Sequence, residues 1–119
     1  MEQVSVKVGT VKTVKGADMS SYLVVTFRGD QLGFARSYAD ANGTRGRDVT
    51  IYRVHEEDGG GYVVSEVTWS LWEGDEDVHA LHYYTSIDEM TADWEATLER
   101  AGVIERRRLT LREWVVRHG

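Results

Sequence analysis

Between Gly61 and Ser86 the chain reads GYVVSEVTWSLWEGDEDVHALHYYTS, two long extended segments joined by the acidic turn Glu73-Gly74-Asp75-Glu76-Asp77. Val63, Val67, Trp69 and Leu71 alternate onto one side of the first segment, the pattern of a half-buried antiparallel strand. A five-residue turn pairs Trp69 with Leu81 and Val67 with Tyr83. One face then carries a run of large apolar side chains and needs a cover. The other face holds Glu66, Thr68, Trp72, Val78, His82 and Tyr84 and is mostly polar.

Upstream the same period recurs. Gln3 to Val8 predicts a strand with Val4, Val6 and Val8 on one side, and Gly9 to Ser20 a loop or irregular edge strand. Tyr22 to Arg28 is a clear strand, with Leu23, Val25 and Phe27 on one side. Arg28-Gly29-Asp30 matches an adhesion motif by letters, but Gly-Asp after a strand signals a turn. Gln31 to Tyr38 predicts a third strand, Asn42-Gly43 a turn, and Asp48 to Glu56 a further strand.

Register decides what shares a face with what, because a slip of one residue inverts every side chain. A five-residue turn over Glu56 to Gly60 sets Val49 and Ile51 beside Val67 and Trp69; a four-residue turn sets them opposite. Burial favours the first. In that register Tyr52, Tyr62, Glu66, Thr68, Trp72, His82 and Tyr84 gather on the second face, the most site-like surface in the sequence.

Helix follows. Ser86-Ile87-Asp88-Glu89 is a capping box, and Ile87, Met90, Trp94, Leu98 and Ala101 fall on one stripe that stops at Gly102. This stripe is the natural cover for the Trp69 and Leu81 face. Thr110-Leu111-Arg112-Glu113 starts a second, shorter helix with Leu111, Trp114 and Val115 inward, packed either beside the first helix or on the other face. The expected fold is α+β: one domain, 1–119, with an antiparallel sheet of about five strands and one or two C-terminal helices packed on one face.

Charge is unevenly spread along the 119 residues: the sum is +3 for Met1 to Arg53, −13 for Val54 to Glu99 and +4 for Arg100 to Gly119. Either the basic ends fold back on the acidic middle, or the middle offers an acidic surface to a basic partner. Successive hairpin turns lie at opposite ends of a sheet, so Glu56-Glu57-Asp58 and Glu73 to Asp77 form one patch only if helix acids bridge them. Arg106-Arg107-Arg108 could touch phosphates, but the acidic middle opposes steering of nucleic acid.

Several chemistries lack their residues. The chain has no Cys, hence no disulfide framework, thiolate metal site or cysteine nucleophile. His79 and His82 are three apart, on opposite faces of a strand, and Asp75 and Asp77 lack the remaining ligands of a calcium loop. Neither a metal nor a cofactor is expected. No apolar run reaches bilayer length, and the chain opens on alternating Val4, Val6 and Val8 instead of a signal segment. These features point to a soluble, cytoplasmic protein without a membrane partner.

The run IYRVHEEDGGGYVVSEVTWSLWEGDEDVHAL, preceded by VTFRGDQLG, resembles the central part of the bacterial EXLDI family. The likeness lies in a strand with Tyr-Arg, a Gly-bounded strand with Tyr-Val-Val, and Trp-x-x-Trp before an acidic Gly turn. The Glu-x-Leu-Asp-Ile segment that gives the family its name is absent here. The resemblance implies the sheet and implies no activity.

Two functions fit the residues. The first is a non-enzymatic protein-binding module, an inhibitor, immunity-type or regulatory protein. It would use Tyr52, Tyr62, Glu66, His82 and Tyr84 with Glu73, Asp75, Glu76 and Asp77 to bind a basic protein, for instance a nucleic-acid-binding one. The second is a small-ligand binder or enzyme in which Glu66, His82 and Tyr84 move protons. The first needs that face exposed, the second needs a concave pocket over it. An open sheet edge would also leave room for a homodimer.

Overall fold

A computed structural model describes residues 2–105 and 110–118; Arg106, Arg107 and Arg108 lie outside the described residues. Seven strands come first: β1 (Glu2–Val11), β2 (Thr13–Val14), β3 (Ala17–Asp18), β4 (Ser21–Tyr38), β5 (Arg45–Val54), β6 (Tyr62–Ser70) and β7 (Asp77–Tyr84). Two helices follow, α1 (Ile87–Arg100) and α2 (Leu111–His118). Strands β1, β4, β5, β6 and β7 are antiparallel neighbours in that order, and the sheet closes where Gly9, Thr10 and Val11 meet His79, Val78 and Asp77. The expected α+β class with a five-stranded antiparallel sheet is what the chain forms. The stretch from Gly9 to Ser20, read as a loop or an irregular edge strand, completes β1 and then makes the small β2–β3 hairpin.

The expected turn at Arg28-Gly29-Asp30 does not form: β4 runs through it for 18 residues. Gly29 pairs with Glu2 on one side and Val54 on the other. It is the point where the strand passes from one neighbour to the next. A Cβ there would sit 2.5 Å from the Arg53 carbonyl oxygen, so glycine serves close approach at this position, not chain reversal.

The β5–β6 register also departs from expectation. Ile51 lies opposite Val64, Tyr52 opposite Val63 and Val49 opposite Glu66. Val49 and Ile51 therefore share a face with Glu66, and Tyr52 falls on the face of Val67 and Trp69. The linking turn is longer than expected: a 3-10 turn over Glu56–Asp58, then Gly59, Gly60 and Gly61 at positive φ. It closes with Val54 N–H donating to the Gly61 carbonyl at 2.9 Å. Burial could not fix this register because β5 is covered on both faces. Between β6 and β7, Val67 pairs with His79 and Val63 with Tyr83, so Trp69 does not meet Leu81. The faces are as expected, but the turn starts earlier and leaves Leu71 outside the strand, 73% exposed.

Two cores result. On the outer face Val49, Ile51 and Val64 pack with Met90 and Leu98 of α1, with Trp94, Tyr62 and Tyr84 at the margin. On the inner face Val6, Phe27, Val54 and Val63 pack together with Val4, Tyr52 and Leu81. Helix α1 thus covers the face of Tyr62, Glu66, His82 and Tyr84, not the Trp69 and Leu81 face. The curl of the sheet itself covers the latter. Ser86 caps α1 as expected, accepting from the Glu89 N–H at 3.2 Å, while the Glu89 carboxylate accepts from Thr85. Gly102 ends it at φ 75. In α2 the Thr110 cap forms, accepting from the Glu113 N–H at 3.2 Å. Leu111, Trp114 and Val115, expected inward, stay at least half exposed.

Candidate functional site

The outer-face set is bound into a chain of contacts under α1. Glu66 accepts from Arg47 at 3.0 Å and lies 3.4 Å from His82 Nε2. The His82 ring packs against Trp94, their centroids 5.2 Å apart. Trp94 Nε1–H donates to the Tyr84 hydroxyl at 2.7 Å, and that hydroxyl donates to Asp93 at 2.8 Å. Burial first, then Asp93, pushes the Tyr84 hydroxyl above its ordinary range. The indole of Trp94 packs over this face, and Glu66, His82 and Tyr84 are each bonded within the set or to a neighbour. Such an arrangement anchors a helix to the sheet.

Tyr52 is elsewhere. It packs edge-on against Phe27 at 5.6 Å on the inner face and lines a polar concavity of about 530 Å³ with Glu2, Gln3, Val4 and Gln31.

At the other end of the inner face a more organised feature appears. Asp48 accepts two bonds from Arg36, at 2.7 and 2.8 Å, and a third from Trp69 Nε1–H at 2.9 Å. The Arg36 guanidinium holds the Asp48 carboxyl below its ordinary value, and Arg36 is pushed up in return. That guanidinium lies 5.3 Å from the Trp69 ring centre, and Tyr38 meets the same ring edge-on at 6.0 Å. Gly46 sits between Tyr38 and Trp69 in register. A Cβ on it would lie 2.6 Å from the Trp69 ring, so the glycine is what lets the indole lie flat across the strands. Together Arg36, Tyr38, Asp48, Val67, Trp69 and Leu71 line a concavity of about 470 Å³.

The acidic turn forms the rim of this concavity. Asp75 accepts from Ser70 Oγ at 2.8 Å and from Arg45 at 2.9 Å, and these two partners lower its pKa, Ser70 foremost. Asp77 accepts from the Ser70 N–H at 3.0 Å. Leu71 N–H donates to the Thr44 carbonyl at 2.8 Å, and Trp72 Nε1–H to Thr44 Oγ1 at 3.1 Å. Thr44 Oγ1 in turn donates to Asp40. The 71–76 turn is therefore tied to the β4–β5 loop. Asp75 is spent on that tie and Asp77 on closing the turn itself, while Glu73 and Glu76 are exposed. Trp72 is 57% and Tyr38 60% exposed beside them.

Of the residues singled out in the sequence, Tyr62, Glu66, His82 and Tyr84 do come together, but beneath a helix. Tyr52 does not join them, and Trp72 belongs to the turn. Glu57 and Asp58 are far along the sheet and hold Arg28, each at 2.9 Å. The basic segment Met1 to Arg53 does fold back on the acidic middle, through Arg28, Arg45 and Arg47. Sequence reasoning missed Tyr38, Arg36 and Asp48. A usable signal existed in Gly46, a glycine inside a strand, which marks close approach of a large neighbour. Among the described residues no helix is long and apolar enough to cross a membrane, and no group of His, Asp and Glu is placed to hold a metal ion. Compared with known protein families, curated proteins and solved structures, the chain matches none.

Proposed function

We propose that this chain is a non-enzymatic protein-binding module, of inhibitor, immunity or regulatory type, that acts in the cytoplasm and takes a partner bearing basic side chains. The observation that carries the reading is the 71–76 turn. Trp72 and Leu71 stand out from the surface next to Tyr38 and the Trp69 concavity, and Glu73 and Glu76 flank them. Large aromatic anchors on a pre-ordered support are what interface hot spots are made of. Two acidic side chains at the rim favour a basic partner and hasten its encounter. The alternative, a ligand or proton-transfer site at Glu66, His82 and Tyr84, is less well supported because Trp94 fills that space and the groups bond one another.

The test is capture from the native host's lysate at low and moderate salt with three baits: the wild type, Trp72→Ala, and the double variant Glu73→Gln/Glu76→Gln. Asp75 and Asp77 are left unchanged because they hold the turn. A single basic protein retained by the wild type and lost by both variants supports the proposal. No captured protein, or one that both variants retain, overturns it.

A further inference from the structure

The concavity at Trp69 holds a charge that the fold does not answer. Arg36, Asp48 and Asp77 are the charged side chains of its lining. Arg36 and Asp48 neutralise one another through bonds of 2.7 and 2.8 Å, which leaves Asp77. One of its carboxylate oxygens accepts from the Ser70 N–H at 3.0 Å, and among the described residues no salt bridge reaches it. The cations of the neighbouring strands are committed elsewhere. Arg45 pairs with Asp75 at 2.9 Å and Arg47 with Glu66 at 3.0 Å, and Lys12 acts on Asp75 as well. His79, two residues on along β7, does not replace them. Burial first, then Lys7, lower its pKa against the pull of Asp77, so its ring is neutral near neutral pH. Asp77 is itself half-buried, where an opposite charge is worth more than in open water.

The walls also suit a cation. Trp69 and Tyr38 meet edge-on at 6.0 Å, and both line the hollow. Trp69 already has the Arg36 guanidinium 5.3 Å from its centre, the attraction of a ring for a planar cation. Tyr38 is 60% exposed and offers its ring to whatever enters. Val67 and Leu71 make the rest of the lining apolar, a surface for the methylenes of a long charged side chain. The volume of about 470 Å³ lies within the range of small-ligand pockets.

We propose that this concavity takes one arginine side chain of the partner, its stem along Val67 and Leu71 and its guanidinium between the Tyr38 ring and the Asp77 carboxylate. Arginine fits better than lysine. Its planar head stacks on a ring, presents paired donors to a carboxylate and gives up water more readily. Arg36 does not repel it, because Asp48 cancels that charge at contact distance. The inference rests on the reading of the chain as a module for a basic partner, and adds which side chain of that partner enters and where.

The probe is N-acetyl-arginine amide, titrated onto the whole chain at physiological salt and followed by the indole N–H signals in two-dimensional NMR. N-acetyl-lysine amide and the uncharged isostere N-acetyl-citrulline amide are the comparisons. The Trp69 signal should move while that of Trp94, on the outer face, stays. Arginine should bind more tightly than lysine, and citrulline should not bind. Asp77→Asn keeps an oxygen for the Ser70 N–H and should weaken arginine about threefold or more. Tyr38→Leu, at an exposed position, should weaken it too and keeps the test open if the Asp77 variant fails to fold. Arginine bound no better than lysine or citrulline overturns the proposal, and so does binding indifferent to both variants. The titration needs no partner and is therefore separable from lysate capture. Capture that succeeds while arginine fails overturns this proposal alone; arginine binding as described while capture fails overturns the protein-binding reading and leaves a site for a free guanidinium ligand.

Discussion

Asp48 is the most heavily used side chain on the inner face, accepting from Arg36 twice and from Trp69 once. Its folded pKa is depressed by Arg36, so the unfolded chain takes up the proton first on acidification. The stabilisation is present above about pH 4, the ordinary carboxylate value, and is lost as pH falls through the folded value. Asp58 with Arg28 and Asp75 with Ser70 and Arg45 shift in the same direction. Thermal unfolding followed by circular dichroism should therefore show a midpoint that drops on acidification below about pH 4. Asp48→Asn should be less stable than the wild type at neutral pH by about 1–3 kcal/mol and should lose less on acidification. An unchanged acid slope in that variant would remove Asp48 from this account. Apart from the hint in Gly46, none of this was legible in the sequence, where Asp48 reads only as the first residue of a strand. Its partners are 12 and 21 positions away, and only the register brings them together.

Elements were legible where one face is dry and the other wet. β1, with Val4, Val6 and Val8 on one side and Gln3, Ser5 and Lys7 on the other, announced itself by period, as did the cap and stripe of α1. β5 did not disclose its orientation. Ile51 and Val49 face the helix while Val54 and Tyr52 face the inner core, so neither parity wins on burial. The same two-sidedness hid which face α1 covers, and hence the fate of Glu66, His82 and Tyr84. The helix stripe itself yields a sharp expectation. Met90 and Leu98 are fully buried, whereas Ile87 is 40% exposed. Met90→Ala or Leu98→Ala should cost about 2–5 kcal/mol, and Ile87→Ala well under half of that, by denaturant titration. Equal losses at all three would mean that α1 sits differently on the sheet.

Across the whole molecule the sheet is held shut by contacts between distant parts of the chain, Gly9 with His79 above all. Closing so long a loop should come late and place folding in about the millisecond-to-second range. Because the chain has no proline, refolding should lack the component of tens of seconds that isomerisation produces; stopped-flow fluorescence is the measurement, and a slow phase of that size would contradict it. The placement of the four tryptophans makes such experiments unusually informative. Trp69 lies on the inner face against Asp48, Trp72 on the acidic turn, Trp94 between α1 and His82, and Trp114 on α2. The first three indoles donate to different partners, Asp48, Thr44 and the Tyr84 hydroxyl. The chain thus carries its own optical reporters for barrel interior, acidic turn, helix docking and C-terminal helix, and three phenylalanine replacements at a time would isolate each signal.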